Sequence, residues 1–501
     1  MARPIGITFI LSNKMKIIRL YILFIAVLAI GCNDGIRISE EMDRTPETFP
    51  DYKNITIPSN IAPLNFVVKE DGDRVFVSLK GKVNIDLKFR GVKVIFPEKM
   101  WSKILKDNSG DSIEISISVD KEGTRRNYRP YNIFIKEPID GYLVYRLIMP
   151  GFQTWNQMGI YQRCLSSFKV ETILDSHVLP GTCMNCHSFA MNDPSNMVLH
   201  LRESYGGTIL YRNNELEKLS TKTEQMFANA AFPFWHPSKK YIAFSVNKVN
   251  QIFHAAGPNR AEAIDLKSDI FVYDIERNEM LTSPVLSAEE NYETFPCFSP
   301  DGLTLYYCSA RAVKLPEKFN KIKYSLCSVS FDPLSGKFGD KADTLISGPA
   351  INKSISMPRV SPDNRFLMFD LADYGCFPAY NPESDLYLMN LETRNYSPLE
   401  ALNSNNVESY HSWSSNGRWV VLSSRRGDGL YMKAYLGYVD KNGVSRKPFL
   451  LPQKDPEFYD TFLFSFNVPE LVKTRVSLTP YQIEKVAKKT FSVKVTSDSG
   501  H

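Results

Sequence analysis

The chain is poor in the residues that hold metals. Its 501 residues include 7 histidines and 8 cysteines. There is no H-x-x-x-H, and only one pair of cysteines is spaced C-x-x-C, so a four-ligand zinc site has no second half. G-x-S-x-G is absent, which removes the serine nucleophile of the α/β-hydrolases. The net charge is +5. No Lys/Arg cluster stands out, so nucleic acid is not implied as a partner. Long apolar runs are missing too. The one candidate, Leu20 to Ile30, is too short for a comfortable transmembrane helix.

That run has the form of an export signal. Met15 opens it, Lys16 and Arg19 form a basic head, and Leu28-Ala29-Ile30-Gly31-Cys32 closes it. The closing stretch resembles a bacterial lipoprotein signal, which implies cleavage before Cys32 and lipid on its thiol. Residues 1–31 are therefore read as signal peptide, with the start at Met15, and 32–50 as a lipidated tether. The expected location is the bacterial cell envelope, anchored to a membrane by lipid at Cys32.

What the chain has in quantity is aromatic residues, 31 Phe and 25 Tyr, which favour strands. About 470 residues follow the signal, more than one ordinary core accommodates, so two domains are expected. Residues 51–180 read as a β-sandwich-like domain. In 112–119, Ile113, Ile115 and Ile117 alternate with Glu114, Ser116 and Ser118, and Val75, Val77 and Leu79 do the same. A short helix is expected near 99–105. The aromatic, Gln/Asn-rich stretch 151–168 reads as a packed connector, with a contact surface as the alternative.

Residues 181–475 carry a repeat. FPFWHPSKKYIAFSVN, TFPCFSPDGLTLYYCSA, SMPRVSPDNRFLMFDLA and SYHSWSSNGRWVVLSSR superimpose without gaps on Pro233, Pro296, Pro358 and His411, spaced 63, 62 and 53 residues apart. Each is strand, turn, strand. In Ser299-Pro300-Asp301-Gly302, Pro fixes φ, Asp caps locally and Gly accepts positive φ. A second hairpin follows each unit, and four strands per repeated unit make a β-propeller. A divergent unit precedes the four, aligned by setting Asp193–Asn196 on Ser299–Gly302. Strands in 458–471 offer a closing blade, giving six blades, with seven the alternative. The tail, 476–501, reads as a short helix and then disorder. The five cysteines outside Cys32 and the C-x-x-C pair read as packing residues.

These repeats resemble the WD-like units of TolB-type propellers, which implies fold alone. The fold class is thus all-β: a sandwich-like domain, then a TolB-type propeller.

Cys183-Met184-Asn185-Cys186-His187 is the c-type haem attachment signal. Two intervening residues let both thiols reach one porphyrin edge, and the next residue aims an imidazole at the iron. Cys183 and Cys186 are the expected attachment points and His187 the iron ligand of one covalent haem c. The candidates for a second axial ligand are His200, Met191, Met197 and His177. A hairpin register pairing His187 with Arg202 puts His187 and His200 on one side of the sheet and argues against His200. Disulfide formation by Cys183 and Cys186 is the alternative. Together, the lipoprotein signal, NIAPLNF, YLVYRLIMPGF, CMNCHSF, MVLHLR and the propeller units resemble Bacteroidetes-type envelope lipoproteins often labelled cytochrome c biosynthesis proteins. Nothing here resembles a haem lyase, which needs several membrane spans or a Trp-rich loop. The resemblance implies a haem carrier for electron transfer or small-ligand sensing with an envelope protein partner. The alternative is a haem-free propeller that binds protein or glycan.

Other clusters read as structural. Trp235-His236-Pro237 is a turn variant, and Arg425–Gly429 is a solvated loop. Tyr410-His411-Ser412-Trp413 lacks the acid and oxyanion groups of a catalytic set, and Asp265, Asp269 and Asp274 sit at strand edges. The sequence names no catalytic residue.

Overall fold

The computed structural model describes residues 38–149, 157–253, 261–315, 318–491 and 493–497. The signal segment and Cys32 lie outside them. No helix among the described residues is long and apolar enough to cross a membrane.

The chain folds as a β-propeller carrying a smaller β domain. Six sheets of four or five strands follow one another. Their innermost strands are Thr182–Ala190, Ala231–Trp235, Asn291–Phe298, Ser354–Val360, Glu408–Trp413 and Ser465–Val472, which define blades 1 to 6 in that order. Each inner strand touches the next, and the last touches the first, so the ring is closed.

Blade 6 closes the ring from both chain ends. Ser465–Val472 pairs antiparallel with Tyr142–Ile148, which continues to Gly159–Cys164 and Val170–Asp175. These three strands were expected in the N-terminal domain. The boundary at 180 is corrected to about 140, because these three strands complete the sheet whose inner strand is Ser465–Val472. Alternation alone cannot reveal this, since a sandwich strand and a blade strand share the same period.

The inner strands repeat one irregularity. Phe232, Phe295, Met357, Tyr410 and Val468 all have positive φ. Each precedes Pro233, Pro296, Pro358, His411 or Pro469. At each place two residues oppose one on the neighbouring strand, a β-bulge. Proline suits the second bulge position because it donates no ladder hydrogen bond. The turns that follow also repeat. Ser361 Oγ bonds Asp363 Oδ1 at 2.6 Å and accepts from Phe366 N–H at 3.0 Å. Ser414 does the same with Asn416 and Trp419. In blade 2, His236 replaces this serine: Nδ1 meets Ser238 Oγ at 2.7 Å, and Nε2 meets the Gly302 carbonyl of the next blade at 2.9 Å.

The N-terminal domain is sandwich-like, a seven-stranded sheet stacked on a three-stranded one. Val75, Val77 and Leu79 pair with Val119, Ile117 and Ile115, all essentially buried. Helix Glu98–Asp107 covers them through Trp101, Ile104 and Leu105. The expected tether 32–50 is shorter than read, because Ile38–Met42 runs parallel to Thr124–Tyr128. The domain shares a core with blade 5 through Trp419, whose Nε1–H donates to the Glu137 carbonyl at 3.0 Å.

The tail holds the expected helix, Pro480–Ala487, with a capping box from Thr479 and Gln482. Where disorder was expected, Val493–Lys494 and Thr496–Ser497 add parallel edge strands to blades 1 and 2.

Candidate functional site

The Cys-x-x-Cys-His motif forms the inner strand of blade 1 rather than a helical turn. Met184 pairs with Leu201 and His187 with Leu199, leaving Asn185 and Cys186 opposite His200 alone. This is the same bulge as in the other blades, so Cys186 stands where they place Pro233, Pro296, Pro358, His411 and Pro469. The motif is thus written over the propeller's own repeat. The expected His187–Arg202 pairing is corrected. The hairpin turn is Met191-Asn192, both at positive φ, so Asp193 already lies in the second strand and the register moves by three residues.

The register assigns faces. Paired residues share a face and neighbours alternate. Met184, His187 and Phe189 pair with Leu201, Leu199 and Met197, and apart from His187 all of these join the core between blades 1 and 6. Cys183, paired with Arg202, alternates to the other face by register, although at the end of the strand its side chain also joins the core between blades 1 and 6. Because the bulge consumes an extra residue, Cys186 shares that face with Cys183. His200 lies there as well, opposite to His187, the reverse of the sequence reading.

Neither cysteine forms a disulfide and both are buried, Cys183 at 9% and Cys186 at 4% exposure. Burial holds both above the usual thiol range, although Arg146 and Arg202 pull the other way. They are not activated nucleophiles. His187 is 2% exposed; neither ring nitrogen makes a well-aligned hydrogen bond, and the ring lies against the Val144 backbone of blade 6. Burial, reinforced by the Arg146 charge, lowers its pKa to about 3. Arg146 donates to the Met184 carbonyl at 3.0 Å and to Asn467 Oδ1 at 2.5 Å, tying blade 6 to the motif strand.

Cys183 opens onto a cavity of about 400 Å³ at the axial end where the inner strands begin. Phe232, Phe377, Tyr380 and Tyr410 wall it, Arg146 and Arg202 supply positive charge, and no carboxylate lines it among the described residues. Met158 also lines it, and its Sδ accepts from Met184 N–H at 3.3 Å. Sequence reasoning missed Met158, which is 26 residues from the motif in a segment assigned to the other domain.

The proposed distal ligands are dispersed. His200 is fully buried on the other face, its Nδ1 3.2 Å from Thr208 Oγ1. Met197 lies on the His187 face, paired with Phe189 nearer the hairpin. Met191 is in the turn and exposed, and His177 lies exposed beside Asp175. The structure gathers none of them around His187.

The donor chemistry suits a covalent haem: two unoxidised thiols, a buried and poorly hydrogen-bonded imidazole, and an aromatic cavity with arginines for carboxylates. The extended backbone suits it less well, because the imidazole and the thiols face opposite ways.

The remaining clusters are structural. Asp265 accepts from Tyr324 at 3.0 Å, Cys376 at 3.1 Å and Asn247 at 2.9 Å. Asp274 caps a turn. Arg426 of the 425–429 loop pairs with Glu408 at 2.8 Å. His411 Nδ1 lies 3.5 Å from Asp370, whereas Ser412 Oγ donates to the Pro469 carbonyl, so the two do not form a catalytic pair. No group of three His, Cys, Asp or Glu among the described residues is arranged to hold a metal ion.

No protein-family profile matches the chain. No characterised protein matches it in sequence. Among solved structures, it is similar to prolyl oligopeptidase B from Galerina marginata at 11% identity and TM-score 0.37, over 67% of this chain and 42% of that one. It is also similar to the periplasmic gluconolactonase of Pseudomonas aeruginosa at 11% identity and TM-score 0.35, over 65% and 99% of the two chains. A DUF4784 family protein from Bacteroides caccae follows at 8% identity and TM-score 0.29, over 71% and 96%. The chain thus spans about two fifths of the peptidase. These likenesses are too remote to inform function.

Proposed function

We propose that the chain is an envelope lipoprotein carrying one covalent c-type haem, tethered at Cys32 and working with a protein partner. The observation that carries the reading is the buried, poorly hydrogen-bonded His187 imidazole directly following two cysteines that form no disulfide. A buried polar group with poor hydrogen bonding costs stability, and neutral imidazole is the commonest metal ligand among side chains. Cys183 and Cys186 would each add S–H across a vinyl group, a step that consumes no oxidant. His187 would ligate the iron, and Arg146 and Arg202 would meet the carboxylates. When bound, the haem supplies one-electron or small-ligand chemistry. Met158 joins the earlier candidates for a second ligand, because it borders the cavity that Cys183 opens onto.

A second reading, a haem-free propeller binding protein or glycan, is favoured by one observation: the strand is extended, with its imidazole turned away from its thiols. Intact mass and a pyridine haemochrome spectrum, on protein made with a cytochrome c maturation system, separate the two. A gain of one haem mass with a c-type α-band, lost in Cys183→Ser with Cys186→Ser, supports the carrier. An unmodified, colourless protein overturns it.

A further inference from the structure

A cavity larger than the one beside Cys183 lies elsewhere. It lies in the cleft between the N-terminal domain and blade 6 and measures about 1,050 Å³, the upper end of the range for small-molecule sites. Its floor is a chain of rings. Tyr161 stacks with Tyr145 at 6.2 Å, Tyr145 meets Phe466 at 4.8 Å, and Phe466 meets Phe462 at 5.7 Å. Phe462 stacks on Phe458 at 4.6 Å and meets Phe464 at 5.7 Å. The rings of Tyr161, Phe458, Phe462 and Phe464 are only half-buried, and Ile95 and Val170 beside them are 41% and 47% exposed. Such apolar area left open to water calls for an occupant. The cleft is concave, which suits a small ligand rather than a flat protein face.

Arg163 specifies the chemistry. It lines this cavity and is 1% exposed. Its Nη1 donates to Gln453 Oε1 at 2.7 Å, Nη2 donates to the Pro452 carbonyl, and Nε has no partner. Both acceptors are neutral, and three of the five N–H donors remain uncommitted. None of the ion pairs among the described residues involves Arg163. A buried guanidinium without an anion is costly. The rim adds Lys454 and His177. Lys93, by contrast, is already matched by Asp455 at 3.2 Å and Glu457 at 2.5 Å. The guanidinium lies 5.6 Å from the Phe168 ring centre, which leaves it without a carboxylate. An apolar floor with a buried cation lacking an anion is complementary to an apolar chain ending in an anion.

We propose that this cleft binds a single-chain amphiphilic carboxylate, of the fatty-acid class. The chain lies against the Phe458, Phe462, Phe464 and Phe466 rings, and the carboxylate meets Arg163. The site is separate from the motif strand and does not depend on haem.

The test is calorimetric titration of the full chain with laurate and with dodecanol, which has the same chain and no charge, below their micellar concentrations. A hydrogen bond to a charged group makes laurate about tenfold tighter than dodecanol. Arg163→Gln brings the two ligands to within about twofold and Arg163→Lys keeps part of the preference. Phe464→Asp, on the half-exposed wall, weakens both ligands by tenfold or more with an unchanged circular dichroism spectrum. That comparison still decides the matter if Arg163→Gln fails to fold. Equal affinity for laurate and dodecanol in the wild type, or indifference to Phe464→Asp, overturns the proposal. Binding to anionic phospholipid vesicles without binding of free laurate overturns it as well, since a membrane surface would then be the target.

Discussion

Glu293 provides a quantitative test of how the propeller interior is built. It lies on the inner strand of blade 3 and is 1% exposed. One oxygen accepts from Ser309 Oγ at 3.4 Å, and the Asn291 side chain and the Ala288 backbone also lie against the carboxyl group. Burial, followed by the neighbouring Asp269 charge, pushes its pKa up to about 8. An unfolded glutamate titrates near 4.3. The folded chain therefore holds a proton that the unfolded chain releases, and the stability this confers is complete below the unfolded value and lost as pH rises through 8. Each unit between the two values is worth about 1.4 kcal/mol, so from pH 6 to pH 8 Glu293 alone removes about 2 kcal/mol. Glu293→Gln keeps the size and the Ser309 contact but cannot ionise. Urea unfolding at pH 6, 7 and 8 should then show the variant gaining on the wild type by about 2 kcal/mol across that interval. Glu470, a buried acid in blade 6, titrates in both proteins and cancels in the difference. A difference between variant and wild type that is flat with pH would refute the reasoning, because it would mean Glu293 is hydrated and ordinary.

The other expectations concern architecture. Trp419→Ala removes a fully buried indole and its bond to the Glu137 carbonyl, at a cost of about 3–5 kcal/mol. Limited proteolysis should then cut between the N-terminal domain and blade 5 at protease levels that the wild type resists. Ending the chain at residue 461 deletes Ser465–Val472, opens the ring and should abolish the near-ultraviolet circular dichroism. Ending it at 490 removes only two edge strands and should leave that spectrum intact. Thr479→Ala breaks the capping box and should cost about 1 kcal/mol. That loss should appear as faster amide exchange confined to Pro480–Ala487.

The propeller was legible because its turns are written in local chemistry. Ser, Pro, Asp and Gly at fixed offsets reveal four blades, and the same hydrogen bonds recur at Ser361 and Ser414. Closure was legible in part. Strands near 465 were expected to complete a blade, but their partners, Tyr142–Ile148 and the hairpin after it, were assigned to the other domain. The pairing spans more than 300 residues, and no local signal marks it. The tail strands escaped for a related reason: two-residue edges carry no periodicity, and Val493 is placed by its pairing with Leu219.

The candidate site shows where a motif and a fold compete for the same residues. Read alone, Cys183 to His187 is a compact attachment signal in which three side chains converge. Read in register, it is one of six inner-strand bulges, and the bulge fixes which side chains converge. Because the bulge adds one residue between Met184 and His187, it brings Cys186 to the face of Cys183 and keeps His187 with Met184. Without it, strict alternation would put the two thiols on opposite faces. The same device that in four of the other five blades positions a proline is therefore what makes a two-thiol attachment possible here. Its counterpart is an imidazole left in the core between blades 1 and 6, with no well-aligned hydrogen bond to either nitrogen. Replacing it by leucine should stabilise a haem-free propeller, since an apolar side chain of similar size removes a buried, poorly hydrogen-bonded polar group. In a haem-loaded chain the same replacement should bleach the Soret band. The sign of the His187→Leu stability change, measured beside the visible spectrum, thus separates a core histidine from an iron ligand.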